Sequence, residues 1–390
     1  MKSLIYLIIL IGCIFYGYKI AKKKIYLWLP SYLLWAFNKS WFKEDINGPV
    51  HIMFLVADHY EPGPNNEIVK QWVEKYPEIA KKHRDADGRP PRHTWFYPSE
   101  RAEERFEQLQ MLKKLTESGF GEIELHLHHQ NDTEESLRQK FRDAKRVYNK
   151  VGALITVDEK ITFGFVHGDW ALDNSIKINN ENLCGVNNEI TILKEEGCYA
   201  DFTFPALNTD AQPKKINSIY YAVDDPHTPK SYDTGIEVEA DRPPKGDLMI
   251  VQGPLSINLR DWISVFYPRI ENGEVEGSNP VYVSRVDQWV KTGIHVKGKP
   301  DWIFIKIHTH GAISDSMNIF LGNAIDKIYS YLEAKYNDGV NYRLHYVTAR
   351  EAYNIIKAAE AGLLGNPNHY RDYIIKPYKN TVQQSKRTND

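Results

Sequence analysis

Short apolar runs alternate with amphipathic stretches along most of this chain, and this alternation limits the available folds more than any other feature. The apolar runs predict strands at 51–57, 93–97, 122–128, 162–166, 199–204, 248–251, 302–307 and 342–347. Apolar residues at helical spacing predict helices at 99–118, 134–151, 324–335 and 349–361. Strands that alternate with helices form parallel sheets with the helices outside. We therefore predict an α/β fold, a distorted (β/α)7–8 barrel.

The length and composition suit one such barrel. The chain has 390 residues, 42% of them hydrophobic, and three cysteines, which excludes a disordered chain and a disulfide scaffold. Two stretches rich in turn-forming residues, 205–247 and 268–300, lack the apolar periodicity for cores of their own and are predicted to be insertions. We predict an N-terminal segment at 1–45, the barrel at 46–372 and a tail at 373–390.

The N-terminal segment predicts a membrane anchor. Residues 3–18 carry no charge and are followed by Lys19 and the run 22–24 of lysines, which is typical of a single-pass helix that ends at a lipid headgroup layer. A second apolar stretch, 25–37, contains Trp28 and Trp35 and is expected either to lie on the membrane or to pack against the globular part. Membrane lipid is therefore a predicted partner, and the protein is predicted to be membrane-anchored, with the side of the membrane left open.

The charge distribution argues against nucleic acid. Seven lysines and two acids in 1–45 give that segment +5, so the rest of a chain with a net charge of −2 carries −7. A mildly acidic body without a long basic stripe does not match a phosphate backbone. We predict that nucleic acid is not a partner.

Histidine and acidic residues gather where four of the predicted strands end. The clusters are Asp58-His59-Tyr60-Glu61, His126-Leu127-His128-His129, His167-Gly168-Asp169-Trp170 and His308-Thr309-His310. They hold seven of the 14 histidines, and the carboxyl ends of parallel barrel strands open on one face, so we expect the clusters to converge. Side chains two apart on a strand point the same way, which directs His126 and His128 into one cavity. Imidazoles with a carboxylate suit a divalent metal, most simply Zn²⁺, and predict metal-assisted hydrolysis.

These clusters, in this order, resemble those of the polysaccharide deacetylases, carbohydrate esterases with a distorted (β/α) barrel. The resemblance covers about 50–362. It implies that Asp58 is the general base and that His59 replaces a metal-binding Asp, or, with the register moved by one residue, that Asp58 is itself the ligand. It further implies that His126 and His128 bind the metal, with His129 as the competitor for that role.

The later motifs of that family imply the remaining site residues. Either His308 or His310 matches the histidine that acts as general acid. His167, Asp169 and Trp170 stand where the family lines its sugar subsite, and we group Glu61 with them as a residue that contacts substrate.

The leading hypothesis is thus a metal-dependent hydrolase that removes an N- or O-acetyl group from a glycan. A glycosidase on a related barrel is a second hypothesis, because Glu61, Glu124, Asp169 and Asp201 supply candidate carboxylates. A third is a non-catalytic glycan-binding or scaffold protein whose barrel site has degraded, since the first and third motifs depart from the family pattern.

Overall fold

The protein is described by a computed structural model, which covers residues 17–18, 20–41, 46, 48–179, 181–258 and 269–384. The strands are β1 (Val50–His59), β2 (His93–Pro98), β3 (Gly121–Leu127), β4 (Phe163–His167), β5 (Lys177–Ile178), β6 (Glu181–Asn182), β7 (Cys198–Asp201), β8 (Ile219–Ala222), β9 (Ile236–Glu237), β10 (Leu248–Val251), β11 (Ser256–Asn258), β12 (Arg269–Glu271), β13 (Trp302–Thr309) and β14 (Tyr342–Tyr346). The α-helices are α1 (Leu29–Trp41), α2 (Asn66–Ala80), α3 (Phe106–Glu117), α4 (Glu134–Asn149), α5 (Glu189–Glu195), α6 (Val283–Thr292), α7 (Ser314–Phe320), α8 (Asn323–Tyr336) and α9 (Ala349–Glu360). A strand is present at each of the eight positions that the apolar runs predicted.

A mostly parallel 10-stranded sheet organises the molecule, in the order β13-β1-β2-β3-β4-β7-β10-β8-β9, with β14 also paired to β1. β1 is parallel to β13, β14 and β2, whereas β8 is antiparallel to both β10 and β9. The predicted mixed α/β fold with a parallel core is confirmed.

The mostly parallel sheet fits a barrel-like fold, but no closed barrel is found: the strands within the described ranges form one sheet that runs from β13 to β9. The two predicted insertions explain the difference. The backbone of His308, on the outer edge of β13, bonds to Gly273 and Val275 of the 268–300 stretch, and β8 and β9 of the 205–247 stretch extend the opposite edge. Both edges that would have to meet are thus occupied by other segments.

Local sequence accounts for where the helices flanking the site begin. Thr133 caps α4 by accepting a hydrogen bond from the Ser136 backbone N–H, and the Ser136 hydroxyl oxygen accepts one from the Thr133 backbone N–H. Thr348 and Glu351 form the same reciprocal capping box at α9. These caps fix the points at which the chain turns from strand ends into helices.

Alternation along β1 separates the two faces of the sheet. Ile52, Phe54 and Val56 pack in a cluster with Trp72 of α2, and we call this side the α2 face. Met53, Leu55 and Ala57 pack in a second cluster with residues of α9, and we call this side the α9 face. Each residue of β1 therefore belongs to one face by its position alone.

The prediction of a membrane-anchored protein is contradicted: among the described residues, no helix has both the length and the apolar character needed to cross a bilayer. The predicted span 3–18 lies almost wholly outside the residues that the structure describes. The second apolar stretch packs against the globular part, since Trp28 is buried with Ile216 and Leu255.

The tail predicted at 373–390 is described as far as residue 384, and Tyr378 there is buried with its hydroxyl 2.9 Å from Glu124 Oε1. A cavity of about 1010 Å³ lies between α1 and the amino ends of the strands, lined by Leu34 and Val50 among others. It is at the opposite end of the sheet from the histidine clusters described next.

Candidate functional site

The carboxyl ends of β1, β3 and β13 bring histidines together on the α9 face. His59 continues the series of Leu55 and Ala57, and His308 is the register partner of Ala57, so both side chains lie on this face. The His59 ring centroid is 5.5 Å from that of His126, 6.2 Å from that of His308 and 5.0 Å from that of His310. We call the group His59, Glu61, His126, His128, His308 and His310 the mouth pocket.

Three of these imidazoles present a buried nitrogen without a hydrogen-bond partner: Nε2 of His59, Nε2 of His126 and Nδ1 of His308. His126 is oriented by its other nitrogen, because Nδ1 lies 2.8 Å from the Val166 carbonyl oxygen and donates to it. That tautomer leaves a lone pair on Nε2. Buried polar atoms are nearly always paired in folded proteins, so several unpaired imidazole nitrogens in one pocket indicate a site for a cation.

Glu61 supplies the carboxylate of the mouth pocket. Its Oε1 is 3.3 Å from His126 Nε2, without the alignment of a hydrogen bond, and its Oε2 is 3.7 Å from His128 Nε2. Donor atoms of these three residues all lie within 4.8 Å of one another. The side chains of Glu61 and His128 are 37% and 30% exposed, so solvent and a substrate can reach this part of the pocket.

The protonation states within the pocket differ because the surroundings differ. Burial, followed by the charges of neighbouring histidines, holds the pKa of His59 well below its usual range. Burial and the charge of Lys306 do the same to the pKa of His308. Burial also opposes the charged form of His310, but Glu276 outweighs it and raises the pKa of His310. The pocket thus combines imidazoles whose pKa is lowered by burial with imidazoles whose pKa is raised by a neighbouring carboxylate.

Glu276 and Glu100 hold two pocket histidines from outside. Glu276 Oε1 lies 2.5 Å from Nδ1 of His310, and Glu100 Oε1 lies 2.9 Å from Nδ1 of His128. Burial works against the charged form of His128, yet the hydrogen bond that it donates to Glu100 raises its pKa. Neither glutamate was among the residues predicted. Glu100 follows the end of β2, so a search for acidic residues and histidines at the ends of all predicted strands would have found it. Glu276 lies in an irregular stretch, where no sequence pattern indicated a site residue.

Asp58 lies on the other side of the sheet from the mouth pocket. It follows Phe54 and Val56 on the α2 face, where Oδ2 is 2.8 Å from His93 Nε2. Its Oδ1 accepts a hydrogen bond of 2.7 Å from the Gly311 N–H. The general base implied by the resemblance is therefore not directed toward His59. Its contacts instead fix the turn that follows His310.

The predicted third cluster divides between two places. Trp170 borders the mouth pocket, with its ring 6.1 Å from that of His59 and 5.9 Å from that of His310, and its indole nitrogen is unpaired. Asp169 is exposed beside it. His167 lies elsewhere: its Nε2 is 2.9 Å from Nε2 of His129, in a buried group that also contains Cys184 and Glu189. We call those four residues the sealed cluster.

The mouth pocket fits a divalent metal. Glu61 and two of the predicted ligands, His126 and His128, form a group of donors that could hold a metal ion, and that group does not include His59. Part of the pocket is open to solvent, which is the property that separates a catalytic metal site from a structural one.

No protein-family model and no curated protein matches the chain. Among solved structures, the chain is similar to a protein from Mycobacterium smegmatis whose designation as a polysaccharide deacetylase is provisional, with a TM-score of 0.41 and 10% identity over 83% of this chain and 96% of that one. It is also similar to a 4-alpha-glucanotransferase from Thermococcus litoralis, with a TM-score of 0.37 and 10% identity over 79% of this chain and 43% of that one. Likeness at this level is a distant resemblance of fold and carries no argument about activity, which has to come from the mouth pocket itself.

Proposed function

We propose that this protein is a metal-dependent hydrolase that removes acetyl groups from a glycan. The observation that carries the proposal is the set of unpaired buried nitrogens on His59, His126 and His308, which face one solvent-accessible pocket with a carboxylate at its edge. Metal-assisted hydrolysis needs this combination of open access and neutral imidazole ligands. The order of the strand-end motifs, which resembles that of polysaccharide deacetylases, supplies the acetylated glycan as substrate.

Glu61, His126 and His128 would hold the metal, and His59, whose ring centroid is 5.5 Å from that of His126, is a further ligand candidate. A divalent ion in such a site lowers the pKa of a bound water and polarises an acyl carbonyl. Trp170 offers an aromatic ring at the edge of the pocket, 6.1 Å from the ring of His59, which suits the apolar face of a sugar ring.

His308 and His310 are the residues placed to move protons. His308 keeps an unpaired Nδ1 in the pocket, so it is the acceptor. His310 is held at Nδ1 by Glu276, which stabilises its protonated form and leaves Nε2 to donate to the leaving group. We assign Asp58 a positioning role, because its bonds to His93 and to the Gly311 N–H fix the end of β13 and the turn that carries His310.

Release of acetate tests the proposal and separates it from a glycosidase. The full chain, supplied with zinc, is incubated with N-acetylated and O-acetylated oligosaccharides, and both acetate and new reducing ends are measured. We expect acetate without reducing ends, and a loss of activity of about 10³-fold or more in His126→Ala, since several kcal/mol of transition-state stabilisation are removed.

The exposed His227 provides the matched control, because His227→Ala removes an imidazole from a surface loop. Reducing ends without acetate would replace the deacetylase with a glycosidase. Binding of the oligosaccharides with neither product would favour the non-catalytic alternative.

A further inference from the structure

The sealed cluster brings four donors of three chemical kinds, two imidazoles, a thiol and a carboxylate, together from four separate segments. His129 follows β3, His167 ends β4, Cys184 follows β6 and Glu189 begins α5. His129, His167 and Glu189 have side-chain exposures of 0%, 1% and 0%, and Cys184 is fully buried. Nothing in the proposed deacetylase chemistry uses these residues.

Donor atoms of His129, His167 and Cys184 all lie within 4.8 Å of one another, and Oε1 of Glu189 approaches both histidines. Nε2 of His129 is 2.9 Å from Nε2 of His167 and 3.1 Å from Oε1 of Glu189. Nε2 of His167 is 3.3 Å from the same Oε1 and 3.7 Å from Sγ of Cys184. Zinc bonds of about 2.0–2.3 Å place tetrahedral ligands about 3.3–3.7 Å apart, so little movement is needed to close these atoms on an ion.

The hydrogen bonds on the far side of each imidazole direct lone pairs toward that point. Nδ1 of His129 lies 2.9 Å from Oδ2 of Asp132, and Nδ1 of His167 lies 2.5 Å from the carbonyl oxygen of Gly168. Both acceptors require a proton on Nδ1, so the neutral rings turn unprotonated Nε2 atoms toward each other. A carboxylate or carbonyl behind a metal-bound histidine is the usual arrangement of outer contacts at zinc sites.

Glu189 and Asp132 are themselves fixed. Oε2 of Glu189 accepts a hydrogen bond of 2.6 Å from the Asp173 N–H, which directs Oε1 to the two histidines. Asp132 accepts hydrogen bonds of 2.6 Å from both Lys140 and Ser136. The donor atoms and the groups that orient them are therefore already in position without a bound metal ion.

We propose that the sealed cluster binds a structural zinc ion through His129, His167, Cys184 and Glu189. Charge supports this assignment: a divalent cation, a thiolate, a carboxylate and two neutral imidazoles sum to zero, which suits a site with no access to water. Four protein ligands leave no open position, as in structural zinc sites.

Backbone conformation near the cluster is consistent with a metal that holds the loop in place. Asp169, Trp170, Asp173 and Asn174, in the loop after His167, all have φ between 51° and 56°, in the left-handed region that side chains other than glycine disfavour. Such a run persists only where surrounding contacts determine it. The zinc would thereby also hold Trp170 at the edge of the mouth pocket.

A proton is the competing cation. Burial lowers the pKa of His129, but Glu189 and Asp132 outweigh burial and raise that pKa to about 9. A proton on His129 could therefore lie between the two Nε2 atoms in place of a metal ion. Zinc with a sulfur ligand would show that the sealed cluster holds a metal ion and not a proton. The sulfur also identifies the site, because the donors of the mouth pocket within the described residues include no sulfur.

X-ray absorption at the zinc edge on the unmodified full chain tests the proposal without any substitution. We expect a sulfur shell at about 2.3 Å from zinc, together with nitrogen and oxygen ligands, with one sulfur for each zinc ion in the sealed cluster. His126→Ala should keep that sulfur signal while it loses pocket zinc, which separates this site from the one used in the proposed function. Absence of bound zinc, or bound zinc without sulfur, would overturn the proposal.

Cobalt substitution identifies the sulfur. Cobalt-loaded protein is expected to show a thiolate-to-cobalt charge-transfer band that Cys184→Ala abolishes, with one metal ion fewer per chain. Cys198, also buried, donates its S–H to the Ala200 carbonyl oxygen, so Cys198→Ala is the matched control, and Cys13→Ala covers the third cysteine. A band that survives in Cys184→Ala, or disappears in either control, assigns the metal elsewhere and overturns the proposal.

Discussion

The mouth pocket and the sealed cluster have similar ligands and differ chiefly in their access to water. Glu61 and His128 are 37% and 30% exposed, whereas the side chains of His129 and Glu189 are fully buried. The mouth pocket also leaves nitrogens unpaired, while the donors of the sealed cluster face one another at short distances. Residue types alone therefore do not distinguish a catalytic metal site from a structural one. The distinction comes from the access of water to the site and from the number of protein ligands.

Gly168 lies between the two groups. Its carbonyl oxygen accepts from His167, and a Cβ atom on its Cα would lie 2.4 Å from the ring of His128. The mouth pocket and the sealed cluster are therefore in contact through one small residue. This contact makes their independence testable.

The largest effect on stability is expected from Glu189→Ala. Removal of this buried carboxylate leaves two imidazoles facing each other without a counter-charge, at a cost of about 3–5 kcal/mol in the free energy of unfolding. Denaturant unfolding measures it. Glu195→Ala in the same helix is the control, since the Glu195 side chain is 53% exposed and its ion pair with Arg138 contributes little. Equal effects from the two variants would mean that the sealed cluster does not stabilise the fold.

Asp58→Asn tests the positioning role. The substitution keeps the shape but weakens the charge-assisted bonds to His93 and Gly311, so we expect kcat to fall about 10–100-fold with KM and metal content unchanged. Acetate release and metal analysis give the two readouts. Loss of pocket metal would instead make Asp58 a ligand, as the shifted register considered from the sequence implied.

Gly168→Ala is expected to disturb both groups at once. The added methyl group meets the His128 ring, and overpacking of this kind costs about 1–3 kcal/mol in stability. Activity should fall as well, because His128 is displaced. In a His128→Ala background the cost should shrink, and a double-mutant cycle measures that difference. An undiminished cost would place the strain outside the mouth pocket.

Lys140→Ala should have the smallest effect. Lys140 supports Asp132 behind the sealed cluster, but its side chain is 40% exposed, so its loss is expected to change stability by less than about 1 kcal/mol. Lys113→Ala is the control, with a side chain 38% exposed and an ion pair to Glu117. The cluster zinc should remain in both variants. Its loss in Lys140→Ala would show that Asp132 depends on this surface contact.

Much of the fold followed from periodicity, and the exceptions have physical causes. β1 was predicted at 51–57 and spans Val50–His59, because its apolar run is continuous. β8, in contrast, is four residues long within a stretch rich in Pro, Asp and Lys, and it belongs to the sheet only through its antiparallel pairing with β10 and β9. Pairing between distant segments leaves no periodic signal, which is why sheet closure was predicted where the edges are in fact covered.

The candidate site shows the same division. Alternation along β3 predicted that His126 and His128 would share a cavity, and their ring centroids are 4.6 Å apart. The same alternation separates Asp58 from His59, which the resemblance had assigned to one site. His167 ends β4 in alternation with Phe163 and Phe165, on the face opposite to Val166, and His129, in the turn after β3, lies beside it in the sealed cluster.

Anomalous diffraction at the zinc edge, from crystals of the full chain before and after a chelator soak, tests the account most directly. Two peaks are expected before the soak, one next to His126 Nε2 in the mouth pocket and one among His129, His167, Cys184 and Glu189. After the soak, only the second should remain, because water and chelator reach the mouth pocket alone. A mouth pocket without a peak would contradict the proposed hydrolase, and loss of the sealed peak before the open one would contradict the distinction between the two sites.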